Sequence, residues 1–361
     1  MYIERRDQHT LTQGHCCISG QGGPTATVNF ETYPMFVANR QHWKDAAVPG
    51  CDACWLPESQ GHHSFRKGYV DWMMGQTSDP LKPELLKLDY NVGPLCNAKC
   101  VHCSANYSSV WAAEDAVHAR PNTVPVKFSH TARHNIIPQL RLDQLQTLYL
   151  NGGEPFLSTD LKDLLTEIDQ HGDLGNLTFQ SNTNGSVRPS DEVVDLWLRC
   201  KRVDIFVSID AIEHQFEYIR YPLQWREVED NIDFMCSLAP NINVTFSFAM
   251  GVHNIDEMQR TWHWFDNNRM RRGQADTQFG IHRCFGSLDL VHSSQPLRQV
   301  WLDQLDPHGR WTPWTRTLIT HGTDGDNHTW LQHLAMIDQR RQLDWASSLP
   351  ALHASWKKSL G

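Results

Sequence analysis

No stretch of this 361-residue chain approaches the roughly 18 consecutive apolar residues that a membrane-spanning helix requires. Its first residues, Met1-Tyr2-Ile3-Glu4-Arg5-Arg6-Asp7, lack the apolar core of an export signal. No run of basic residues offsets a net charge of −9, which arises from 32 Lys and Arg against 41 Asp and Glu. Nucleic acid is therefore not an expected partner, because neutralising a phosphate backbone needs clustered positive charge. No internal repeat is evident, and the 20 histidines nowhere form the H-E-x-x-H pattern of a helical zinc site. The expectation is a soluble, cytoplasmic protein with no membrane partner. In that reducing compartment the 10 cysteines point to metal or catalysis rather than disulfides. Hydrophobic residues, 40% of the chain, can fill a sizeable core, and the length suits two domains or one barrel with an appendage.

What the chain does carry is a cysteine triplet, Cys96, Cys100 and Cys103, at C-x3-C-x2-C spacing, just after an extended apolar run at residues 85–90. Three thiolates on one short loop can hold three irons of a cubic four-iron cluster and leave the fourth iron to a ligand that is not protein. Zinc is the competing reading, although it wants four ligands, usually as two separated pairs.

From residue 85 onward, short apolar strands alternate with amphipathic helices. Strands are expected over residues 85–90, 145–150, 177–181, 203–209, 243–249 and 277–282. Helices are expected around 108–116, 159–170, 191–200, 227–238 and 255–265. The second helix has the plainest ends, with Ser158 and Thr159 as cap candidates, Asp160 in the first turn and Gly172 beyond the last. Six strand–helix units in a row predict an α/β fold with a parallel sheet, because parallel neighbours need crossover helices. Reactive groups then belong at the C-terminal ends of the strands. Residues 117–143, rich in His, Arg and Pro, read as an insertion that forms a lid or a partner surface.

The segment Leu95-Cys96-Asn97-Ala98-Lys99-Cys100-Val101-His102-Cys103 resembles the cluster loop of the radical SAM superfamily, including an aromatic-type residue, His102, before the third cysteine. The resemblance implies a partial (β/α)6 TIM-like barrel over residues 84–286 and a [4Fe-4S] cluster with S-adenosylmethionine (SAM). It also implies an electron donor such as a flavodoxin or ferredoxin. In this family an electron from the cluster breaks a carbon–sulfur bond of SAM, and a 5′-deoxyadenosyl radical takes hydrogen from a substrate.

Gly152-Gly153-Glu154-Pro155 follows the second expected strand. Two glycines let the backbone approach a ligand closely, and a carboxylate can accept a hydrogen bond from an ammonium group. Alone, the segment reads equally well as a Gly-rich turn before a helix. In its place after that strand it resembles the superfamily's motif for the methionine amino group, with Glu154 at the acidic position. Asn182-Thr183-Asn184-Gly185 and Ser208-Ile209-Asp210 end the next two strands. The resemblance implies that Asn182, Asn184, Ser208 and Asp210 serve the ribose hydroxyls and the methionine carboxylate. Arg220 resembles an arginine that pairs with that carboxylate, a partner suited to a guanidinium fork.

The first 75 residues hold four more cysteines, Cys16, Cys17, Cys51 and Cys54, the last two as C-x2-C followed by Glu58, Gly61, Ser64 and Arg66. This pattern resembles a subgroup in which a twitch-type, shortened SPASM-type domain with an auxiliary cluster precedes the barrel. Residues 334–352, with Asp338, Arg341, Trp345 and Leu349-Pro350, resemble its closing helix and turn, within a mainly helical extension at 287–361. The subgroup usually has a further cysteine upstream of the pair, which this chain lacks. The expected ligands are Cys17, Cys51 and Cys54, with Cys16, His15, Cys284 or the substrate as the fourth; a zinc site is the competing reading. Cys200 and Cys236, among apolar neighbours in expected helices, read as core residues. The resemblance implies oxidative modification of a ribosomally made peptide or protein. Oxidation or rearrangement of a sugar, amino acid or nucleotide is the second reading. A non-catalytic metal-binding protein is the third.

Overall fold

The computed structural model describes residues 2–5, 11–14, 23–25, 54, 58–59, 61, 64–75, 85–118, 142–269, 279–307, 309, 312–320 and 325–361. Most of the expected auxiliary-cluster domain, including Cys16, Cys17 and Cys51, and most of the 117–143 insertion lie outside them.

Among the described residues, nine strands form one sheet: β1 (Tyr2–Arg5), β2 (Leu11–Gly14), β3 (Gly23–Thr25), β4 (Lys87–Asn91), β5 (Thr147–Asn151), β6 (Thr178–Thr183), β7 (Arg202–Ser208), β8 (Ile242–Met250) and β9 (Phe279–Arg283). Their order is β3-β2-β1-β4-β5-β6-β7-β8-β9. The run β4 to β9 is the expected set of six, in sequence order. It is an unclosed parallel sheet of the partial-barrel kind, and among the described residues β3 and β9 are the two edges of the whole nine-stranded sheet. The sequence reading did not include β1, β2 or β3. β1 adds parallel to β4, with Ile3 opposite Tyr90, and the other two continue as antiparallel strands.

Contacts divide the chain into two units. The first comprises Met1–Gly93, Val126–Ser181 and Ser190–Val203; the second comprises Pro94–Pro125, Asn182–Pro189 and Asp204–Gly361. In the first unit, Leu88 lies opposite Leu148 and Tyr90 opposite Leu150, all four essentially without exposure. Helix α3 (Thr159–His171) covers this layer with Leu161, Leu164, Leu165 and Ile168. (Helices α1, Phe65–Met74, and α2, Ser109–His118, precede it in the chain.) The Ser158 hydroxyl accepts from Asp160 N and Gly172 closes the last turn, as the residue types at both ends predict. Helix α4 (Asp191–Arg199) is capped by Ser190 and buries Trp197 against Phe156 and Phe179.

In the second unit, β8 alternates buried and half-buried residues along its whole length, as a strand with one face on the core must. Phe246 and Phe279 pack with Phe265 on α7 (Met258–Arg269), which follows α5 (Glu213–Ile219) and α6 (Trp225–Cys236). The sequence reading passed over α5. The C-terminal extension is helical, as expected: α8 (Gln295–Gln304), α9 (Thr312–Thr320), α10 (His328–Arg341), α11 (Trp345–Ser348) and α12 (Pro350–Ser359). Trp330, Trp345 and Trp356 join the last three edge to face. Among the described residues, no helix is long and apolar enough to cross a membrane.

Candidate functional site

The cysteine loop leaves β4 and is held by its own backbone. Lys99 N donates to Tyr221 O at 2.6 Å and Val101 N to Ile219 O at 2.8 Å. Ser108 Oγ donates to Ala98 O at 2.7 Å, and Trp111 Nε1 to Cys100 O at 2.8 Å. Cys96 and Cys100 are buried and Cys103 is half-buried. N–H groups already point at the two buried sulfurs. Ala98 N lies 3.4 Å and Asn184 Nδ2 4.0 Å from Cys96 Sγ, and Arg220 Nη1 lies 3.8 Å from Cys100 Sγ. Burial pushes the Cys100 thiol up to about 12 and the Cys103 thiol to about 11. Sulfurs in this setting become thiolates when a metal takes the proton's place. Among the described residues, no group of three or more His, Cys, Asp or Glu is arranged around a single metal ion. A cubic cluster does not need that convergence, because each thiolate binds an iron at its own corner. Three sulfurs on one pinned loop, with donors aimed at two of them, fit such a cluster.

Beside the loop lies a buried ion pair. Arg220 Nη2 is 2.6 Å from Asp210 Oδ2, and Asp210 Oδ1 accepts from Ala249 N at 2.8 Å. Burial alone would raise the Asp210 carboxyl; the Arg220 guanidinium, His102 and the Ala249 N–H outweigh it and hold the group below its ordinary range. His102 places Nε2 3.5 Å from Asp210 Oδ2 and stacks on His253, with centroids 5.4 Å apart. His253 is 1% exposed, and neither of its ring nitrogens makes a hydrogen bond among the described residues. Burial keeps it neutral, well below its ordinary 6.5.

The structure therefore brings Cys96, Cys100, Cys103, His102, Asn184, Asp210 and Arg220 into one neighbourhood of the second unit. Asn184 also donates to Asn97 Oδ1 at 3.0 Å, so it braces the loop from the end of β6. Asn182 lies within β6 and Ser208 ends β7, both half-buried. Sequence reasoning missed His253 and weighed Cys284 only as a ligand for another cluster. Both follow strand ends, β8 and β9, and Gly251 is what lets them approach. A Cβ there would lie 2.9 Å from Cys284 Cβ and 3.0 Å from His253 Nδ1. A glycine just after a strand, followed two residues later by a histidine, was the available signal.

Gly152, Gly153 and Glu154 belong to the first unit, at the end of β5. Gly152 has φ +132°, and Gly153 N donates to Gly93 O at 2.8 Å. Glu154 has no exposure, and its Oε1 accepts from Phe156 N at 3.1 Å, capping the short turn Pro155–Leu157. The Gly-rich turn and the carboxylate thus form one tight structure. Of the front cysteines only Cys54 is described, and it is buried.

The family model described as the Radical SAM superfamily matches residues 90–265. Several solved structures resemble the chain at low identity. Native anSMEcpe with bound AdoMet is 14% identical over 67% of this chain and 63% of its own, at a TM-score of 0.40. Streptococcus suis SuiB bound to S-adenosylmethionine is 11% identical over 84% of this chain and 59% of its own, at 0.37. SuiB bound to precursor peptide SuiA is 10% identical over 95% and 77%, at 0.38. The chain thus spans less than two thirds of the length of the first two. No curated protein sequence matches it. The span that is similar to the radical SAM superfamily, residues 90–265, has the three-cysteine loop at its head.

Proposed function

We propose that this chain is an enzyme that reductively cleaves SAM and abstracts a hydrogen atom from its substrate, a ribosomally made peptide or protein that is thereby oxidised. The observation that carries the cleavage reading is the pinned loop, with three thiols, two of them met by N–H donors, inside the span that matches the superfamily. When bound, the reduced cluster and SAM supply a carbon-centred radical. Cys96, Cys100 and Cys103 would hold three irons. Glu154 would accept from the methionine ammonium, and Asn182, Ser208 and Asp210 would serve the ribose and carboxylate. Arg220 Nε, which makes no hydrogen bond among the described residues, is the atom left for that carboxylate.

The oxidative part rests on the front cysteines. Cys17, Cys51 and Cys54, with Cys16, His15, Cys284 or the substrate as fourth ligand, would hold a second four-iron cluster that takes an electron from the substrate radical. A flavodoxin- or ferredoxin-type donor would reduce the barrel cluster.

Anaerobically reconstituted protein should carry about eight irons, and the Cys96/Cys100/Cys103→Ala variant about half as many and no 5′-deoxyadenosine production. Undiminished SAM cleavage in that variant sinks the assignment. About four irons and one zinc would make the front a structural zinc site and remove the oxidative reading. A mass change in a candidate peptide supports the substrate class; turnover of a free sugar, amino acid or nucleotide instead would overturn it.

A further inference from the structure

The middle of the cysteine loop is gripped from the far end of the chain. Its two central carbonyls each take a side-chain donor. Trp111 Nε1, on α2, reaches Cys100 O, and His333 Nε2, on α10, reaches Val101 O at 2.7 Å. An oxygen that can only accept makes Nε2 the protonated nitrogen of His333. Two turns further along α10, Arg341 closes on α2. Its Nε donates to both oxygens of Glu114 at 3.2 and 3.3 Å, and Nη2 adds a third bond at 3.2 Å. The guanidinium also lies over the rings of Trp111, at 4.7 Å, and Tyr221, at 5.5 Å. Both rings belong to residues that hold the loop, through Cys100 O and Lys99 N. Glu114 completes the circuit by pairing with Lys99, between the first two cysteines. Neighbouring Arg340 pairs with Asp115 at 2.7 Å. α10 lies outside residues 90–265, the span the superfamily model covers.

We propose that His333 and Arg341 are positioning residues for the cluster, so that a helix 232 and 227 residues downstream of the groups it holds sets the spacing of the three sulfurs. A cluster needs its thiolates placed before iron arrives, and groups behind the ligands do that placing. The proposal rests on the reading of this loop as a cluster site.

The test uses the full chain, with and without anaerobic reconstitution, as wild type, H333F, H333Q, R341M and R341K. Without iron, deuterium uptake by a peptide covering residues 96–103 reports the grip itself. Losing the Val101 bond should speed exchange about tenfold in H333F, while the amide donor of H333Q restores slow exchange. R341M should loosen the same peptide more than R341K, which keeps the charge but not the planar fork. With iron, H333F and R341M should hold less than half the barrel iron, counted above the Cys96/Cys100/Cys103→Ala level, or show an altered spin-resonance signal after reduction. Wild-type exchange and a wild-type signal in both overturn the proposal. H333Q behaving no better than H333F also overturns it, because the effect is then one of packing rather than of the hydrogen bond. If R341M does not fold, the two His333 variants decide. If the wild type holds no iron above the triple cysteine variant, the cluster reading fails, and the exchange data still judge the grip.

Discussion

Arg220 and Asp210 form an ion pair at 2.6 Å with 6% and no exposure, and the same guanidinium points its other terminal nitrogen, Nη1, at Cys100 Sγ. One side chain thus ties the end of β7 to the cysteine loop. Removing one member of a buried pair strands the other, at about 3–5 kcal/mol. Urea unfolding should show R220M destabilised by that amount, with the R220M/D210N double variant recovering part of it. A single variant as stable as wild type would mean that Asp210 finds another counter-charge. Because its folded pKa lies below the ordinary 3.8, the pair's contribution is present above pH 3.8 and lost as pH falls through the folded value.

His253 titrates with consequences on the other side of neutrality. The buried ring is held neutral, stacked on His102 and near Asp210, so the folded state resists the proton that the unfolded chain accepts near 6.5. The unfolded state binds more protons there, and stability is therefore full above pH 6.5 and falls as pH drops below it. In H253F, the loss of unfolding midpoint between about pH 7.5 and about pH 5.5 should be smaller than in wild type. His102, His282 and His333 are shifted in the same direction, so some loss remains. An equal drop in both proteins would show that His253 contributes nothing to acid sensitivity.

Glu154 has two duties that two variants separate. Its cap on Phe156 N contributes about 1 kcal/mol, which Glu154→Ala removes and Glu154→Gln, with an acceptor oxygen still in place, keeps. If Glu154 also receives the SAM ammonium, both variants lose a charge-assisted bond. SAM affinity by equilibrium dialysis then falls about ten- to hundredfold in each. Unchanged affinity in Glu154→Gln would leave the residue as a turn former only.

Gly152 is required by its backbone. At φ +132° an added Cβ would sit 2.7 Å from Gly93 O and 3.0 Å from Asn91 Oδ1. Gly152→Ala should lower stability by about 1–3 kcal/mol in urea unfolding, because neither the conformation nor the space suits a side chain. Wild-type stability would show that the turn relaxes without penalty.

Much of this protein was legible residue by residue. The six parallel strands and helix α3 follow from alternation, spacing and cap residues that lie within a few positions of one another. The cysteine loop is likewise a local pattern, three thiols in eight residues after a strand. Helix α5 was missed because it is only seven residues long and its N-cap, Ile212, makes no side-chain cap. Strand β1 was missed because four residues, Tyr2 and Ile3 followed by Glu4 and Arg5, state no period, and one of its two partners, β4, lies far along the chain.

Local order therefore came from the sequence alone: where strands run, where helices start, and which loop carries three thiols. The tertiary structure decided the surroundings of those groups. It paired Arg220 with Asp210, set His253 on His102, and brought Arg341 to Glu114 across 227 residues. Strand periodicity and helix caps are short-range interactions, each readable in a window of a few residues. Burial and charge pairing depend on which distant segments share a volume, and no local pattern encodes that.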